Sequence, residues 1–255
     1  MQMIRLFFVI LPTMLQKTEA LVLHALKYGE QKLIVDMFTR EQGRLSFVVP
    51  SPKSARARVG KQLLQPLTLL FIEADVRPQQ QLQRLREAVM AQPLVSLQSD
   101  PAKLAIALFV AEFLYQALRG EQRDEPLFDY VRSALCWLDE ARQGYANFHL
   151  VCLMRLSRFL GFYPNLDDYV PGCYFDLRQS IFCTQAPLHR DFLMPQEADH
   201  IRLLMRMDFA TMHLFRLSRL QRHRILEILL LYYRIHLPQM PELRSPDVLA
   251  ELFAD

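Results

Sequence analysis

The chain is poor in glycine, with seven in 255 residues, and has one tryptophan and four cysteines. It holds no G-x-x-x-x-G-K-[ST] and no G-x-G-x-x-G, which removes the usual loops that cradle nucleotide phosphates on backbone N–H groups. G-x-S-x-G is absent too, and with it the elbow that presents a nucleophilic serine. Cys136, Cys152, Cys173 and Cys183 are too few and too scattered for a disulfide framework. A reducing cytoplasm is therefore the expected setting. The longest apolar run near the start, Leu6 to Leu11, is far short of the roughly 20 residues that span a bilayer. No small-residue cleavage site follows it, as a signal peptide requires. Residues 1–13 are expected to be an upstream extension, with Met14 as the true start; an extra edge strand or a poor secretion signal is the alternative. Net charge is only +3, so any affinity for nucleic acid must come from local clustering.

What is present begins with hydrophobic residues at 51%, enough for a real core and too many for a disordered chain. Segments 16–28, 31–39, 44–50 and 63–74 alternate or are rich in Val, Leu and Phe, and read as strands. Pro66 belongs at the start or edge of the last one. Gln42-Gly43 marks a hairpin turn. Segment 82–89 reads as a fifth strand or a short helix. Five short strands with one long loop predict a small barrel, and an OB-fold is the usual nucleic-acid-binding version. The texture changes near Pro93. Asp100-Pro101 opens a helix that runs to about Leu118 and stops at Gly120. Further helices are predicted over 125–141, 145–161, 195–208, 211–216 and 218–236, with a last turn near 245–253. Prolines 164, 171 and 187 break the pattern between 162 and 192.

The strongest charge signal is RLSFVVPSPKSARARVGK. From Arg44 to Lys61 it carries Arg44, Lys53, Arg56, Arg58 and Lys61 with no acidic residue. Such like charges repel unless a polyanion neutralises them, and phosphates are the commonest polyanion. A solvated surface loop is the plainer alternative. A second basic cluster holds Arg202, Arg206, Arg216, Arg219, Arg222 and Arg224, with His213 and His223. At helical spacing Arg202 and Arg206 share a face, as do Arg216, Arg219 and His223. A solvated helical face is an equal alternative to a secondary nucleic-acid track or a docking face for an acidic partner. Arg155 and Arg158, beside Phe159, are candidates for docking an acidic tail. Among the barrel aromatics Tyr28 is expected to be exposed, and Phe38, Phe47 and Phe71 to be core. Cys173, Cys183, His189 and His200 lack the paired spacing of a zinc site, so idle thiols are the better reading. His24, Glu30 and Asp36 belong on the polar face of strands, and nothing demands an enzyme.

Taken together, the run TEALVLHALKYGEQKLIVDMFTREQGRLSFVVP and SPKSARARVGKQLLQPLTLLFIE resembles the N-terminal domain of the bacterial RecO family. The family's L-G-x-x-P appears at the end of FHLVCLMRLSRFLGFYPNL, and HLPQMPELRSPDVL resembles its closing segment. The resemblance covers about residues 14–250. It implies an α+β protein: an N-terminal OB-fold β-barrel over 14–93, then an all-helical domain over 94–255. The helical domain carries an irregular zinc-finger-like insert at about 163–193. Zinc-binding members show C-x-x-C after L-G-x-x-P; this chain has Tyr169-Val170-Pro171-Gly172 and then Cys173. The insert is therefore expected to lack metal ligands, with no cofactor.

The resemblance also implies a non-enzymatic role in recombinational repair in the cytoplasm, at the nucleoid. It implies binding of single- and double-stranded DNA and annealing of complementary strands. RecR, RecA loading and the acidic tail of single-stranded-DNA-binding protein complete the implied setting. The loop cations Lys53, Arg56, Arg58 and Lys61 become the expected DNA contacts. An adaptor that captures acidic tails, with DNA contact secondary, is the competing reading, and a metal-dependent enzyme around Cys173, Cys183 and the histidines the third.

Overall fold

The computed structural model describes residues 14–51, 59–77, 79–120, 122–246 and 249. Two compact units divide the chain, one reaching Pro93 and the other beginning at Leu94.

The first unit is a closed five-stranded barrel of OB-like order, β1-β2-β3-β5-β4. Its strands are β1 (Met14–Tyr28), β2 (Lys32–Thr39), β3 (Gly43–Pro50), β4 (Leu69–Val76) and β5 (Leu82–Gln92). The β2–β3 turn is set where expected. Gly43 takes φ 70°, which glycine adopts without a Cβ clash, and the Thr39 hydroxyl donates to the Gly43 carbonyl at 2.8 Å. Inward residues of every strand, among them Val22, Val35, Phe47, Leu70, Ile72 and Leu85, form one buried cluster. Segment 82–89 resolves as strand, because barrel closure pairs it on both sides: antiparallel to β4 and parallel to β3 over Ser46–Val48. The expected strand over 63–74 is shorter. Lys61–Leu64 is a 3-10 turn, and Leu67 sits at φ 62°, a left-handed conformation that no strand continues through. Only from Leu69 does the backbone pair.

The second unit is built on α1 (Ser96–Ser99), α2 (Pro101–Ala117), α3 (Glu125–Glu140), α4 (Phe148–Phe159), α5 (Pro195–Arg206) and α6 (Arg219–His236). Asp100 caps α2 by accepting from the N–H groups of Ala102 and Lys103, with Pro101 at the first helical position. Lys103 is buried, and its ammonium donates to Ser96 Oγ at 2.7 Å and to the Asp139 carbonyl at 2.8 Å. It thereby satisfies a carbonyl in the last turn of α3. A capping box of Ser218 and Gln221 starts α6. The helix expected over 211–216 is only a 3-10 turn, Met212–Leu214. Arg216 lies in the loop before α6, outside the helix face expected to unite it with Arg219 and His223.

The insert forms a small sheet in the order β7 (Ile181–Cys183), β6 (Tyr174–Asp176), β8 (Phe192–Leu193). The buried Asp176 carboxylate accepts from the N–H groups of Arg178 and Gln179 and faces His189 Nε2 at 3.1 Å. Phe175 and Phe182 pack at 4.9 Å between ring centroids. From α6, the Tyr232 hydroxyl donates to the Phe162 carbonyl and His236 Nε2 donates to the Leu177 carbonyl. Hydrogen bonds and aromatic packing therefore hold this irregular segment onto the helices. Cys173 is buried and Cys183 half-buried. Among the described residues no group of three or more His, Cys, Asp or Glu side chains is arranged to hold a metal ion, and no helix is long and apolar enough to cross a membrane.

Candidate nucleic-acid interface

The basic loop leaves the barrel after Pro50 and returns at Val59. Both ends are fixed. Pro50 stands opposite Lys32 in the β2–β3 ladder, and the Ser51 N–H donates to the Gln31 carbonyl at 2.8 Å. On the return side Val59 and Leu64 are buried in the barrel core. Lys61 lies between these anchors and is exposed. Lys53, Arg56 and Arg58 lie outside the described residues.

The register around the loop brings further cations to the same rim. Tyr28 at the end of β1 stands opposite Lys32, and Lys32 opposite Pro50. Lys27 and Lys32 are exposed, and Tyr28 is 52% exposed, as expected. Across the parallel β3–β5 seam Val48 stands opposite Arg84, which is exposed. The buried Gln83 side chain ties down the preceding turn through the Arg77 N–H and the carbonyls of Arg77 and Gln80. Four neighbouring strands thus present Lys27, Lys32, the loop and Arg84 along one end of the barrel. Glu30 lies in the β1–β2 turn within this row, and Asp75 of β4 stands opposite Arg84. Sequence reading missed Lys27, Lys32 and Arg84, because only strand register places them beside the loop. Hairpin pairing across Gly29 carried the signal for the two lysines.

Arg44 does not join this rim. It lies six positions before Pro50 on β3, about 20 Å away along an extended strand. There it is half-buried, and its guanidinium forms an ion pair with Asp36 at 3.7 Å. Phe38 and Phe47 are core as expected, but Phe71 is 51% exposed. It shares the outward face of β4 with Glu73, two positions on.

Two matches now bear on this chain. The family profile described as Recombination protein O N terminal matches residues 14–94, and Recombination protein O C terminal matches residues 98–245. The chain belongs to the RecO family. A protein named DNA repair protein RecO from Phocaeicola vulgatus is 52% identical over 241 residues, covering 94% of this chain and 100% of that one. Its namesake from Porphyromonas gingivalis is 38% identical, covering 92% and 98%. That from Flavobacterium psychrophilum is 33% identical, covering 93% and 99%. The barrel is the N-terminal RecO domain and the helical unit the C-terminal one.

Within the C-terminal RecO domain the predicted arginines have diverse fates. Both Nε and Nη2 of Arg155 donate to the Met207 carbonyl, at 3.1 and 2.7 Å, while Arg158 is exposed. Arg202 reaches Asp199 at 3.3 Å and lies over the Tyr169 ring at 5.0 Å. Arg224 bridges Glu197 and Glu227. Arg206 and Arg216 are exposed. Arg219 lines a groove of about 520 Å³ with Arg222, His223, Leu220 and Leu226. His149 forms part of its wall. That imidazole is buried, its Nδ1 has no hydrogen-bond partner, and burial, reinforced by the Arg222 charge, pushes its pKa down to about 3. Arg222 itself is half-buried and donates to the Leu217 carbonyl at 2.6 Å. Cations beside the exposed Leu220 and the buried Leu226 make a site for a group that is anionic at one end and apolar at the other.

Proposed function

We propose that this RecO-family protein binds single- and double-stranded DNA along the loop rim of its barrel and anneals complementary strands, without covalent catalysis. The observation that carries this reading is the row of exposed cations, Lys27, Lys32, Lys61 and Arg84, flanking the anchored basic loop on one end of an OB-like barrel. Phosphate neutralisation there releases counterions and lets two like-charged strands approach. Tyr28, exposed beside Lys32, offers a ring on which an unpaired base stacks. The protein works with RecR to help RecA loading, in the bacterial cytoplasm at the nucleoid. The test is annealing of complementary oligonucleotides across a salt series, using wild type and a variant with Lys53, Arg56, Arg58 and Lys61 all changed to Ala. The variant is expected to lose annealing and to show a shallower salt dependence. An unchanged slope would remove the loop from the DNA site.

The groove beside His149 favours a second role in the same protein, capture of the acidic tail of single-stranded-DNA-binding protein. Acidic residues would meet Arg219, Arg222 and His223, and a terminal apolar side chain would meet Leu220 and Leu226. A labelled acidic peptide with an apolar C-terminus is expected to bind the loop variant as tightly as wild type and to lose affinity on Arg219→Ala. Equal affinity for Arg219→Ala would move the tail elsewhere, with Arg158 the next candidate.

A further inference from the structure

A second face of the barrel, over β1, β4 and β5, has the reverse character. β4 lies between β1 and β5, and the register aligns their outward side chains in rows. Glu19 stands opposite Phe71 and Phe71 opposite Val89; Lys17 stands opposite Glu73 and Glu73 opposite Glu87. Phe71 is 51% and Val89 59% exposed, an aromatic–aliphatic pair left in water. The β2–β3 turn folds against this face, with the Arg40 N–H donating to the Glu19 carbonyl at 3.0 Å. A groove of about 520 Å³ results. Four carboxylates line it, on Glu19, Glu41, Glu73 and Glu87, against two cations, Lys17 and Arg40.

Two features of this face work against the isolated barrel. Glu73 and Glu87 are directly opposed across strands, a like-charge pairing that destabilises a sheet. Lys17 forms an ion pair with Glu73 and offsets part of this. Beside them an apolar pair stands exposed with no covering element among the described residues. A cationic partner with an apolar side chain answers both at once.

We infer that this groove docks a segment of a partner protein in which Lys or Arg flanks one apolar side chain. The apolar side chain covers Phe71 and Val89, and the flanking cations meet Glu19, Glu73 and Glu87. Nucleic acid is the wrong chemistry here, since its phosphates would face a carboxylate excess. Along β1, Glu19 and Tyr28 are nine positions apart, up to about 30 Å, whereas along β5 Arg84 of the rim and Glu87 of the groove are three apart, about 10 Å. DNA on the loop rim and a basic segment in this groove can therefore be held together by one barrel.

The probe is a fluorescein-labelled Lys-Arg-Phe-Lys-Arg amide, with Lys-Arg-Gly-Lys-Arg as its control, titrated by anisotropy into the full chain. The phenylalanine peptide is expected to bind roughly tenfold more tightly than the glycine one. Phe71→Ser is expected to abolish that difference. Glu87→Gln is expected to weaken both peptides, about threefold at low salt and less at high salt. Both side chains are exposed, and thermal melts would verify that the variants fold. Single-stranded DNA binding is expected to persist in both variants, so failure here is separable from failure of the rim. Equal affinity of the two peptides, or binding by Phe71→Ser that matches wild type, would overturn the inference. Self-association of wild type that Phe71→Ser abolishes, without peptide binding, would give the face to a second copy of this chain and also overturn it.

Discussion

The barrel rim and the helical unit both carry basic residues, and they use them in opposite ways. On the rim Lys27, Lys32 and Lys61 are exposed, and no hydrogen bond or ion pair holds them among the described residues. In the helical unit Lys103 is buried on Ser96 and the Asp139 carbonyl, Arg155 closes on the Met207 carbonyl, and Arg224 is shared between two glutamates. A cation already satisfied inside the protein has little to offer a phosphate. The difference teaches that charge counts alone mark a site poorly; the state of each charge decides.

Substitutions should separate the two regions cleanly. The largest effect on stability is expected from Lys103→Ala. It removes one of the two donors to the Asp139 carbonyl, leaving only the Ser96 hydroxyl, and opens a cavity, costing about 3 kcal/mol in urea unfolding, with DNA affinity barely changed. Next comes pH. Because the folded pKa of His149 lies near 3, well below the ordinary value of about 6.5, its unfolded form takes up the proton first. The stability that comes with neutral His149 is full above about pH 6.5 and is lost as pH falls toward 3, by about 1.4 kcal/mol per unit. His149→Gln should therefore shrink the loss between pH 7 and 5 by about 2 kcal/mol in urea melts. Arg155→Ala leaves the Met207 carbonyl short of its two donors and should cost about 1–2 kcal/mol. The smallest effect on stability, within about 0.5 kcal/mol, is expected from Lys27→Ala with Lys32→Ala. That pair should instead lower the slope of log affinity against log salt by about two units. A salt slope unchanged by the rim pair, or altered by Arg155→Ala, would break the comparison.

Much of this was legible in the sequence. The Gln42-Gly43 turn, the Asp100-Pro101 cap and the change of texture at Pro93 are local signals, and the backbone obeys them. Phe71 was misread because an aromatic in an apolar run looks like core; its parity with Glu73 was the cue. Segment 82–89 was ambiguous because neighbours distant in sequence complete its hydrogen bonding on both sides. Arg44 was grouped with the loop by sequence distance, yet a strand carries it to the far end of the barrel. Lys27 and Arg84 were missed for the converse reason. Each is remote from the loop in sequence and close to it only through register. The fates of the helical arginines depend on which carbonyls and carboxylates tertiary packing brings near, and no spacing rule encodes that.

The two anchors of the basic loop have an evolutionary consequence. On the return side Val59 and Leu64 belong to the barrel core, and on the outgoing side the Ser51 N–H is held by the Gln31 carbonyl. Closure entropy grows slowly with length, by about 0.6 kcal/mol for each doubling. Changes of length between those anchors therefore carry little closure cost. Selection can retune the grip on a polyanion there, one residue at a time, while the scaffold stays the same.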